Sequence, residues 1–127
     1  MGLCLFPDDD DATGPDISWS YSGFAAFRRR LAEAEGITLS QMWGFGGDVP
    51  WSSVSTSLEP FLDHPDDDGE LSAAECAAIL PRLEAVIAQW QSEATRTPLL
   101  QAHIDDARQL VIVLLHCVEK NVVLQFA

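Results

Sequence analysis

Residues 64–75 read His-Pro-Asp-Asp-Asp-Gly-Glu-Leu-Ser-Ala-Ala-Glu and place five carboxylates in twelve positions. Carboxylates packed this closely repel one another, and a hard divalent cation relieves that repulsion by taking six to eight oxygen ligands. With Gly69 as the sixth position of such a loop, Asp66 and Asp68 fall at the third and fifth. Glu70 then offers its backbone carbonyl at the seventh position, Ser72 reaches an ion through water at the ninth, and Glu75 closes the loop as a bidentate carboxylate at the twelfth. Leu71 is the apolar residue between them. The first position holds His64, whose imidazole is a poor calcium ligand and suits softer transition metals. Pro65 restricts His64 further, to extended backbone conformations.

This spacing resembles the EF-hand family over residues 64–75 alone, and the resemblance implies Ca2+ as ligand. It departs from the family at His64, and the chain has no second loop of the kind. Three readings of the segment stand side by side. It is an Asp-Gly turn before a capped helix, with its carboxylates solvated; it is a weakened calcium site; or it is a transition-metal site using His64 with Asp66 or Asp68.

The elements that must hold this loop follow from periodicity and caps. A short helix is expected over 57–63 and another from Ala73, giving a helix-loop-helix at about 57–90. Ser72 and Glu75 have capping-box spacing at the start of the second helix. Pro81 falls inside that helix, where it is expected to kink it or divide it in two. Leu83, Val86, Ile87 and Trp90 continue the apolar face. An earlier helix is expected over 22–35, with Phe24, Phe27, Leu31 and Ala34 on one face and Gly36 as its stop. Residues 39–43 fit a helical turn, 92–97 a linker, and Pro98 opens a last helix reaching about Cys117. Residues 1–6 and 122–126 read as short strands that can pair with each other. The fold class expected is α+β, mostly helical, in a single domain of 1–127.

Other chemistry is sparse. Trp19, Tyr21, Trp43, Phe45 and Trp51 could line a pocket, although aromatics in a Gly-rich loop more often cover a core. Residues 44–47 lack the Lys and Ser/Thr of a phosphate-binding loop. His64, His103 and His116 form no metal-binding spacing; His116 fits a core or boundary position, and His103 lies one turn from Asp106. Cys4, Cys76 and Cys117 are odd in number and widely spaced, which argues against a disulfide framework and for a reducing compartment.

Composition narrows the function classes. Twenty Asp and Glu against seven Lys and Arg give a net charge of −13, which repels nucleic-acid phosphates and attracts cations or a basic protein partner. Six arginines against a single lysine, with abundant alanine, suggest a GC-rich bacterial genome. Residues 1–6 lack the basic start of a signal peptide, and no apolar run is long enough to span a bilayer, so a cytoplasmic location is expected. The wider chain resembles a group of small uncharacterised bacterial proteins with Met-Gly-Leu at 1–3, Ser-Tyr-x-Gly-Phe at 20–24, Gly-Phe-Gly-Gly at 44–47 and Asp-Gly-Glu-Leu at 68–71. That resemblance implies no activity. The function expected is a non-catalytic binding or regulatory protein whose loop takes up calcium. One alternative is an acidic inhibitor or immunity-type protein masking a basic partner without metal. Another is a small enzyme with the aromatic pocket, using His64 and Asp66.

Overall fold

Buried and half-exposed residues alternate along the first strand, β1 (Gly2–Pro7), so Leu3 and Leu5 enter the core from one face. The computed structural model describes residues 2–9, 14–64, 69–93 and 97–127. The elements after β1 are β2 (Ile17–Ser20), α1 (Tyr21–Ala34), α2 (Glu59–Leu62), β3 (Glu70–Leu71), α3 (Ala73–Gln91), α4 (Pro98–Lys120) and β4 (Leu124–Phe126). Single 3-10 turns form at Leu39–Gln41 and Trp51–Ser53. The chain is therefore α+β and mostly helical.

The strands make one antiparallel sheet of order β2-β1-β4-β3. The terminal strands pair as the sequence suggests, with Leu5 opposite Phe126. Two strands were not legible in the sequence. β2 forms by pairing along β1, placing Ile17 opposite Leu5, and the two-residue β3 sets Leu71 opposite Leu124.

α3 and α4 make the most extensive contact between elements. Their inner faces bring Ile79, Leu83, Val86 and Trp90 against a core that also holds Ile104, Ala107, Leu110 and Leu114. Each of the larger aliphatic side chains among them contributes about 1.5–3 kcal/mol by leaving water. Of the two outcomes expected of Pro81, division of α3 does not occur: the helix runs 19 residues through it. Pro81 lies on the exposed side, while Ile79, Leu80 and Leu83 are buried around it. Packing of that apolar face outweighs one missing hydrogen bond. Cys76 and Cys117 meet between these helices, and the Cys117 thiol donates to the Val123 carbonyl at 3.9 Å. The neighbouring Cys117 thiol and burial push the Cys76 thiol far above its ordinary range.

Two polar residues are buried among the described residues, Arg28 and His103, each 4% exposed. His103 sits edge-on to Phe27, with ring centroids 5.7 Å apart, and its Nδ1 accepts from Arg30 Nε at 2.7 Å. Asp106, one turn away, instead accepts from Trp19 Nε1 at 3.0 Å. Burial first, and then the Arg30 charge, lower the pKa of His103 below its ordinary 6.5, with Asp106 pulling the other way. The unfolded chain therefore binds this proton more readily than the folded one. The stability His103 contributes is complete above pH 6.5 and drains away as pH falls toward the lowered folded value. A series of urea denaturations from pH 6.5 downward should show a shallower fall for His103→Gln than for the native chain. Parallel slopes would remove His103 as a source of acid sensitivity.

Candidate functional site

The turn from α2 into α3 builds a cleft of about 360 Å³ lined by Glu59, Pro60, Asp63, His64, Glu70, Leu71 and Glu75. α2 is a single turn of four residues, too short to satisfy its own terminal carbonyls. Arg28 does this from α1. Its Nη1 donates to the carbonyls of Leu62 at 2.9 Å and His64 at 2.5 Å, and lies 3.4 Å from that of Phe61. The guanidinium is held between the Phe24 and Phe45 rings, 4.5 and 5.2 Å from their centroids. A buried cation behind α2 thus fixes where its acidic residues stand. Glu59 and Asp63 are four residues apart, which puts them on one side of the α2 turn.

The other wall begins at Gly69, whose φ of +102° is a conformation that favours glycine. A Cβ there would also lie 3.0 Å from Cε1 of His64. β3 follows, then Ser72 as the N-cap of α3. The Glu75 amide donates to Ser72 Oγ at 3.1 Å, and the Ser72 amide donates to Glu75 Oε1 at 3.0 Å. Both halves of the capping box are therefore present, as the Ser-x-x-Glu spacing predicts.

His64 lies flat on Phe126, with ring centroids 3.8 Å apart and planes inclined by 20°. Its Nε2 is 3.1 Å from the Glu70 carbonyl oxygen. A carbonyl can only accept, so Nε2 carries the proton and donates across the mouth of the loop. The side chain of Glu70 accepts from Gln125 Nε2 at 3.2 Å. Partial desolvation raises the pKa of Asp63, opposed by the Arg28 guanidinium and by His64.

Of the six sequence-predicted ligands, His64, Glu70, Ser72 and Glu75 come together, while Asp66 and Asp68 lie outside the described residues. The fit of this set to Ca2+ is mixed. Gly69 has the backbone of a sharp turn, and a helix flanks each end, as an EF-hand requires. Against it, His64 spends its proton on the carbonyl that an EF-hand gives to the ion at the seventh position. Ser72 Oγ and Glu75 Oε1 already accept backbone amides. Among the described residues no group of three His, Cys, Asp or Glu side chains could hold a metal ion.

The five aromatic candidates divide into two sets. Trp19 packs on Phe24 and Phe27, with centroids 5.1 and 5.3 Å away, and Tyr21 begins α1 at 36% exposure. Trp43, Phe45 and Trp51 share the loop after α1. Trp51 is buried, meets Phe45 edge-on at 6.1 Å and donates its Nε1 to the Trp43 carbonyl at 3.0 Å. Trp43 itself is 70% exposed. Phe45 borders a separate cavity of about 230 Å³ with Ala25, Arg28, Arg29, Leu39 and Ser40.

Sequence reasoning missed Glu59 and Asp63, although their spacing on a short helix was a usable signal. It missed Arg28 as well: three consecutive arginines cannot all share one helix face, but the triplet does not say which of them turns inward. Among the described residues no helix is long and apolar enough to cross a membrane. Set against family models, curated proteins and solved structures, the chain matches none of them.

Proposed function

We propose that this chain is a non-catalytic binding protein whose acidic cleft receives a basic side chain of a protein partner. One observation carries the reading. Glu59, Asp63, Glu70 and Glu75 line a single cleft, and among the described residues none of them forms an ion pair with a lysine or arginine. The remainder of the −13 charge steers a basic partner toward the protein and sets orientation more than affinity. An inhibitor or immunity-type role, masking a basic target, is the form of binding this favours. The three free thiols fit a reducing compartment, and we place the protein in the cytoplasm.

An arginine-rich peptide titrated into isotope-labelled protein tests the reading. Amide shifts should concentrate at residues 59–63 and 70–75, and the double variant Glu59→Gln, Asp63→Asn should weaken binding about tenfold or more. Shifts spread evenly over the acidic surface, with affinity unchanged in the double variant, would sink it.

Gly69 favours a second reading, in which the loop takes up Ca2+. Calorimetric titration of the metal-stripped chain with calcium separates the two. Asp68→Asn and Glu75→Gln are the informative variants, since glutamine preserves the capping box. Saturable binding lost in both supports the calcium reading; no heat at millimolar calcium excludes it and leaves the peptide result standing alone.

A further inference from the structure

In a chain of net charge −13, an arginine without a carboxylate partner is out of keeping with its surroundings. Among the described residues the carboxylate ion pairs are Arg82 with Glu35 and His116 with Asp9, so Arg29 and Arg30 have none. Both border a pocket of about 180 Å³ together with Ala26, Glu33, Leu99 and His103. Arg30 Nε donates to His103 Nδ1 at 2.7 Å, which leaves the ring proton on Nε2. The Arg29 guanidinium, the Arg30 Nη groups and His103 Nε2–H are therefore three sets of donors around one small space. His103 is 4% exposed and held between Arg30 and Phe27, so its donor is fixed in place rather than waving in solvent.

A second cavity, of about 360 Å³, shares Arg30 and Glu33 and continues to Gln89 and Glu93 beside Trp90. The two spaces adjoin at Arg30 and Glu33, with Arg29 and His103 on one side and Glu93 on the other. Leu99, 54% exposed, and Ala26 supply an apolar flank. Arginine forks suit a carboxylate, which they bind through paired charge-assisted hydrogen bonds. A bare anion would approach against the field of the whole molecule, whereas a zwitterion carries no net charge into it. Glu33 supplies the counterpart for an ammonium group.

We infer that this pair of pockets binds a small aliphatic α-amino acid, its carboxylate on Arg29, Arg30 and His103, its ammonium on Glu33 and its side chain along Leu99. The site uses none of the acidic cleft's residues and stands or falls independently of it.

Leucine titrated into the isotope-labelled full chain is the test, with 4-methylpentanoate and 3-methylbutylamine as probes that each keep only one of its charges. Leucine should shift the amides of residues 26–33 and 99–103 saturably, and each half-ligand should bind about tenfold more weakly or worse. Arg29 and Glu33 are exposed, so Arg29→Gln and Glu33→Gln should fold normally and each weaken leucine by a similar factor. Three results would overturn the assignment: no saturation with leucine, equal binding of 4-methylpentanoate, or unchanged leucine affinity in both variants.

Discussion

Replacing Arg28 with alanine should destabilise the protein by about 2–6 kcal/mol, since two carbonyls lose their donor at about 1–3 kcal/mol each. The side chain is 4% exposed and its Nη1 serves the carbonyls of Leu62 and His64 at the end of the one-turn helix α2. Removal leaves those carbonyls without their donor, and a buried acceptor that loses its partner costs about 1–3 kcal/mol. It also empties the space between Phe24 and Phe45 that the guanidinium fills. Lysine should recover only part of the loss, because its compact ammonium does not fill the space beside the Phe24 and Phe45 rings that the guanidinium occupies. Urea denaturation of the three proteins measures this directly. A loss below about 1 kcal/mol for Arg28→Ala would mean that solvent replaces the guanidinium at little cost. The cleft offers a second readout. With α2 no longer tied to α1, Glu59 and Asp63 lose their fixed position, and the arginine-rich peptide should bind more weakly to Arg28→Ala at temperatures where it remains folded.

The second large effect has the opposite sign. Pro81→Ala should raise stability by about 2 kcal/mol. Proline at the ninth position of the 19-residue α3 cannot donate to the carbonyl of Ala77, and its ring crowds that carbonyl. Alanine restores the bond at an exposed site where no neighbour has to move. The full proline penalty of about 3 kcal/mol will not be recovered, since proline also restricts the unfolded chain, an effect worth about 0.4–1 kcal/mol. A melting temperature that rises, with an unchanged denaturant slope, is the expected result. A fall would show that α3 bends at Pro81 in a way that its packing on α4 requires.

These two residues also mark where reading the sequence stops. Features whose hydrogen bonds close within a few residues were legible. The capping box of Ser72 and Glu75 is in place, Pro98 opens α4, and Gly36, with φ of +73°, follows α1. The terminal strands were legible too, because alternation and β-branching are local signals. The cleft was half legible: the spacing of Glu70, Ser72 and Glu75 pointed to it, while Glu59 and Asp63 did not stand out until α2 was placed beside them.

What the tertiary structure alone decided depends on partners distant in the chain. β2 and β3 exist only because β1 and β4 offer unpaired edges, and two or four residues carry too little pattern to announce a strand. Within one run of three arginines, Arg28 is buried, Arg30 is tied to a histidine 73 positions later, and Arg29 is exposed. Nothing in a triplet of identical residues distinguishes them, since burial is set by the helix face and by what packs against it. Pro81 shows the same rule in reverse: a local propensity of a few kcal/mol yields to the apolar contacts that α3 makes on either side of it. The sequence by itself determined the caps, turns and charge, which act over one turn or through the net field. The fold decided which of those charges are buried and which face one another, because burial and pairing are properties of contacts between segments.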